Sequence, residues 1–126
     1  MSSGARLEAF CAGDLVLLHL INPTEKFWGV LLDLGVAGVT LRGIGVSSFD
    51  DWMSQAARHS ASLEQGEPTL GLSTMFLPLF RVERMFRDEA VGQVESYAAR
   101  FHGRVGVPVR EYLGLDADGA DAEVPS

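Results

Sequence analysis

Four charged side chains crowd one short stretch, Arg81-Val82-Glu83-Arg84-Met85-Phe86-Arg87. In an extended chain alternate residues share a face. That spacing sets Arg81, Glu83 and Arg87 on one side and turns Arg84 inward with Val82 and Phe86. An inward arginine is costly unless it meets a carboxylate or an interface. Arg42, Arg81 and Arg84 are therefore the candidates for an anion- or partner-binding surface. The simpler alternative is a cross-strand ion pair with Glu83 or Asp33.

Catalytic chemistry has no comparable set. The chain lacks a glycine-rich loop before Lys-Ser/Thr, a dinucleotide fingerprint and a Gly-x-Ser-x-Gly elbow. Its single lysine, Lys26, falls in a turn. His19, His59, His102 and Cys11 have no metal-ligand spacing. Asp50 and Asp51 are adjacent, so a helix would point them about 100° apart, and they suit its N-terminal dipole instead. Asp116-Ala117-Asp118-Gly119 lacks the further ligands and the twelfth-position glutamate of a calcium loop. The sequence thus leans away from an enzyme and implies no cofactor and no metal.

The elements that position these residues follow from periodicity. Leu7, Phe10 and Cys11 share one face of a short N-terminal helix over residues 3–11. Leu15–Ile21, Phe27–Leu34 and Val39–Ile44 read as strands, separated by Asn22-Pro23-Thr24-Glu25 and Gly35-Val36-Ala37-Gly38. They predict an antiparallel meander. Ser48 caps a helix running to about His59 with Trp52, Met53, Ala56 and Ala57 on one side. After a polar loop over 60–71, strands return at Leu72–Leu77 and from Phe80 to Arg87. Pro78 marks an edge or break between them. Asp88-Glu89 begins a helix carrying Val91, Val94, Tyr97, Ala98 and Phe101, and Gly103 ends it. Pro108 opens a last short helix. Arg100–Tyr112 is similar to the end of an AraC-type helix-turn-helix domain, though the simpler expectation is two packed helices with exposed arginines.

The fold class is mainly β with flanking helices (α+β). It is a small five-stranded antiparallel barrel with a helical insertion between strands three and four and C-terminal helices. The 126 residues fit one domain over 1–114, followed by an acidic, disordered tail over 115–126. Four acids of that tail account for much of the net charge of −7. The remaining chain is only mildly acidic, so a local arginine surface stays possible while bulk nucleic-acid affinity is disfavoured. One cysteine, and no apolar run near the ~20 residues of a bilayer span, fit a cytoplasmic protein.

This order of elements resembles the Sm-like small barrels: an N-terminal helix, a three-strand meander, a variable excursion, and two last strands joined by a very tight turn. Gly29 matches the glycine at which a strand of that family bends. The family's uridine-reading asparagine has no counterpart near Val36–Val39.

Leu15–Leu18, Val30–Leu32 and Met75–Leu79 are apolar at odd and even positions alike. A small barrel has one inside, so its outer positions must meet helices or another subunit. Trp28, Trp52, Met75 and Phe76 are the candidate interface residues. The functional expectation is a non-catalytic module that forms homo-oligomers and binds a protein partner. An Sm-like RNA-binding protein is the alternative, and an enzyme with an unrecognised site is third. No membrane association is expected.

Overall fold

The structure, a computed structural model, describes residues 9–62 and 71–115. In chain order come β1 (Leu15–Leu20), β2 (Glu25–Leu34), β3 (Gly38–Gly45), a 3₁₀ turn (Val46–Ser48) and α1 (Phe49–Ser62). They are followed by β4 (Ser73–Pro78), a second 3₁₀ turn (Leu79–Arg81), β5 (Val82–Arg87), α2 (Tyr97–Val105) and α3 (Val109–Leu113). The strands form one antiparallel sheet in the order β4-β3-β2-β1-β5. The meander and the helical insertion stand where the sequence places them, and two C-terminal helices follow the last strand. The N-terminal helix falls mostly, and the acidic tail almost wholly, outside the described residues; residues 9–11 are not helical. No described helix is long and apolar enough to cross a membrane.

Local chemistry explains where the elements differ from expectation. Residues 88–96 form a loop in place of a helix. Val91 and Val94 exchange backbone hydrogen bonds of 2.9 Å across a turn that holds Gly92 at φ +60°. Both valines face solvent. Helix α2 starts nine residues after Asp88, at Tyr97, because Ser96 supplies the cap: its Oγ accepts from the Ala99 amide at 3.0 Å. It runs through Gly103 and ends at Gly106, whose φ of 98° suits the left-handed cap. Ser48 belongs to the first 3₁₀ turn, and Asp50 and Asp51 occupy the first turn of α1.

The two faces of the sheet carry two separate cores. On one, Val16, Leu18, Leu20, Leu31, Val39, Leu41 and Leu77 pack together with Met75, Val82 and Met85. On the other, Leu15, Trp28, Val30 and Ile44 meet Phe49, Trp52, Met53 and Ala56 of α1, Phe101 of α2 and Val109 of α3. Leu15, Trp28 and Val30 are thus covered by helices of the same chain, while Leu32 and Leu34 of β2 stay exposed.

The sheet is strongly curled. Laid flat, five strands at ~4.8 Å spacing would separate β4 from β5 by about 19 Å. Yet only Leu79–Arg81 lies between Pro78 and Val82, a reach of at most ~14 Å even when extended. No ladder joins β4 to β5 among the described residues, so the sheet is not closed by hydrogen bonds.

Curling brings β2 and β3 very close at Gly29 and Gly43, which stand opposite each other. A Cβ at Gly29 would strike the Arg42 carbonyl and come within 2.5 Å of the Gly43 Cα. Gly29→Ala is therefore expected to destabilise the protein by about 1–3 kcal/mol. Urea unfolding would show this as a lower midpoint at unchanged slope. An unshifted midpoint would mean that the two strands can part there freely.

Candidate functional site

The polar centre of the molecule is Asp88, the residue after β5. Its Oδ2 accepts from the Trp28 indole Nε1 at 3.0 Å and from the Ala98 amide at 2.8 Å, while Oδ1 accepts from the Tyr97 amide at 2.7 Å. One carboxylate therefore satisfies a buried indole and two amides at the start of α2. Negative charge is also favoured at a helix N-terminus. Sequence reading treats Asp88 as a local helix start and misses this cap across the loop. The available signal was an aspartate directly after the last strand with a capping serine eight residues on.

Asp88 sits beside an aromatic layer. Trp28 contacts Phe49 and Trp52, with centroids 5.1 and 5.7 Å away. Trp52 continues to Phe101 at 5.1 Å, and Phe101 to Tyr112 at 5.2 Å. Burial pushes the Tyr112 phenol above its ordinary pKa. Trp28 and Trp52 are 0% and 2% exposed. They present no free ring to a partner, unlike the expectation of interface aromatics, because α1 and α2 already cover them. Met75 is half-buried against the opposite core, and Phe76 is 55% exposed on β4.

The three candidate arginines are not brought together. Arg42 is exposed on β3 and donates to Thr74 Oγ1 at 3.4 Å. Arg81 binds the β1–β2 turn: its Nε donates to the Ile21 carbonyl at 2.9 Å. Its Nη2 donates to the Pro23 carbonyl at 2.6 Å and to Glu25 at 3.1 Å. Arg84 pairs with Glu83 at 3.4 Å and lies out in solvent. The expected inward turn of Arg84 is corrected by a register shift. His19 pairs with Arg84 but Leu20 pairs with Val82, so Glu83 is the extra residue of a bulge. Val82 then faces the core while Arg84 and Phe86 face out.

The C-terminal arginines fasten helices. Arg100 reaches Asp50 on α1, Arg104 donates to Ser54 Oγ at 3.1 Å, and Arg110 donates to the Gly13 carbonyl at 3.0 Å. Arg110 also borders a hollow of about 610 Å³ beside Leu15, Ala98, His102, Val109 and Glu111. Among the described residues no group of three or more His, Cys, Asp or Glu is placed to hold a metal ion. Cys11 instead lies beside Asp14, whose Oδ2 accepts from the Cys11 amide at 2.9 Å.

A comparison with protein-family models, curated proteins and solved structures finds no match to this chain.

Two outcomes follow from these contacts. Asp88→Ala leaves the Trp28 indole and two helix amides without their acceptor. It is expected to destabilise the fold by about 2–4 kcal/mol, with a smaller loss for Asp88→Asn. Trp fluorescence during urea unfolding reads both, and a loss of only a few tenths would deny Asp88 this role. His19 is held below its ordinary pKa of 6.5, chiefly by burial and then by Lys26 and Arg84, against an opposing pull from Glu83. The unfolded chain therefore takes up this proton more readily. His19 should leave stability unchanged above pH 6.5 and lower it as pH falls from there toward the folded pKa. His19→Gln should remove that increment between unfolding curves at neutral and mildly acidic pH.

Proposed function

We propose that this protein is a non-catalytic small-barrel module that self-assembles and binds a protein partner. The observation that carries the reading is the apolar corner shared by the two edge strands of the sheet, which have no outer partner among the described residues. Phe80, 81% exposed, and Leu79, 45% exposed, lie in the turn that leads from edge strand β4 into edge strand β5. Val36 stands beside them, since the Leu79 amide donates to the Ala37 carbonyl at 2.9 Å. Phe76 continues the apolar surface along β4. A free strand edge offers unpaired amides and carbonyls to another chain, and apolar side chains around it favour association.

The three-residue link between the two edges supports closure of the curl into a barrel. The same link, the meander, the helical excursion and the crowded Gly29 support an Sm-like plan. The exposed Arg42 keeps RNA binding as the second reading. Salt-dependent retention of a single-stranded RNA would select it.

Light scattering of the full chain at about 10 µM tests assembly by mass action. The expected mass is a multiple of 13.6 kDa, and a monomer overturns the proposal. Phe80→Asp changes an exposed side chain, so urea stability of the subunit should move by less than ~0.5 kcal/mol. Self-association should nonetheless weaken by tenfold or more. Unchanged association would remove the corner from the interface.

A further inference from the structure

Lys26, His19 and Arg84 stand side by side on three neighbouring strands. The β1–β2 register sets His19 opposite Lys26, and the β1–β5 register sets it opposite Arg84. Directly opposed residues share a face with Cβ atoms about 4.5–5.5 Å apart. The result is one cross-strand row of three basic side chains, holding the only lysine of a chain whose net charge is −7. Like charges placed opposite one another destabilise a sheet, so Lys26 and Arg84 gain nothing from flanking His19 by charge alone.

The surroundings leave the row a net cation. Glu83, on β5, pairs with Arg84 at 3.4 Å and is the carboxylate that acts on His19. Glu25, the neighbour of Lys26 on β2, is engaged by Arg81 at 3.1 Å. The Phe86 ring lies 5.0 Å from the imidazole and 5.9 Å from the Arg84 guanidinium. Lys26 also borders a hollow of about 580 Å³, lined by Thr24, Glu25, Phe27, Val46 and Ser47.

We propose that the Lys26–His19–Arg84 row and the hollow beside it bind a sugar phosphate, with the phosphate on the row and the sugar in the hollow. Lys26, Arg84 partly offset by Glu83, and an imidazole able to gain a proton favour a phosphate monoester, which carries a charge of about −1.5 to −2 near neutral pH. Thr24 and Ser47 hydroxyls and the Glu25 carboxylate offer hydrogen-bond partners to sugar hydroxyls. Phe27 and Val46 supply an apolar wall of the kind common in small-molecule sites. Binding requires no covalent step and no assembly of the protein.

The test is a proton NMR titration of the full chain with ribose 5-phosphate and, separately, inorganic phosphate. The His19 resonance is assigned through its loss in His19→Gln, and His59 and His102 serve as internal controls. Saturating ribose 5-phosphate should raise the His19 midpoint by about one pH unit, equivalent to tenfold tighter binding by the imidazolium form. The two control histidines should stay in place. Inorganic phosphate should produce the same shift at tenfold or higher concentration.

Lys26→Gln and Arg84→Gln alter exposed side chains and should keep the parent circular dichroism while weakening ribose 5-phosphate at least tenfold. A His19 midpoint that neither ligand moves at millimolar concentration overturns the proposal. So does a uniform shift of all three histidines, which would report ionic strength alone. Equal affinity for the two ligands overturns the assignment of the sugar to the hollow.

Discussion

A buried indole N–H must have an acceptor, and in this protein that requirement organises half the molecule. Trp28 is fully buried on the helix-covered face of β2, and the Asp88 carboxylate reaches it from the end of β5. The same carboxylate caps α2, so the strand that begins the contact and the helix that ends it are held in one geometry. Helices of nine and five residues, the lengths of α2 and α3, are marginal alone in water. Their stability comes from the Trp52–Phe101–Tyr112 contacts and from the capping by Asp88 and Ser96. Arg100 adds to this by bridging to Asp50 while lying 5.5 Å from the Phe49 ring centroid and 5.2 Å from that of Tyr97. Losing the carboxylate would therefore loosen a layer, and not merely one hydrogen bond.

Much of the fold was legible in the sequence because its signals are local. Asn22-Pro23 and the glycines around Val36 announce turns, and period-two and period-3.6 patterns separate β3 from α1. Pro78 sits at the end of an edge strand, where its missing N–H is harmless. The errors lie where a distant partner decides. Val91 and Val94 have helical spacing with Tyr97 and Phe101, but their mutual backbone bridge and Gly92 turn the chain first. Arg84 has the parity of an inward residue, but the bulge at Glu83 resets the count. Residue spacing cannot reveal a bulge whose cause is the pairing of another strand.

The candidate site was less legible for a related reason. Arg81 and Arg84 are close in sequence but face different neighbours, one holding the β1–β2 turn and the other the outer surface. His19 and Lys26 face each other across the first hairpin while Arg84 is far along the chain, and only the register of three strands places them together. Trp28 and Trp52 show a further ambiguity. A large aromatic ring signals area that must be covered, but its own type does not say whether a helix of the same chain or a second chain covers it. Here α1, α2 and α3 do so for the region around Leu15, Trp28, Val30 and Ile44. The doubly apolar strands are thereby explained in part without any partner.

What those helices leave uncovered is therefore the informative remainder. Phe76, Leu79 and Phe80 lie at the corner between β4 and β5, away from the aromatic layer, and none of them belongs to either core cluster. The corner is also where the two edge strands are joined, by three residues. Hydrogen bonding β4 to β5 within the chain and pairing either edge with another chain compete for the same backbone groups. An exposed phenylalanine at that junction raises the gain from association, since a partner touching it can reach the polar edge groups as well. The short link thus creates both the curl that packs the inner core and the surface on which assembly would act.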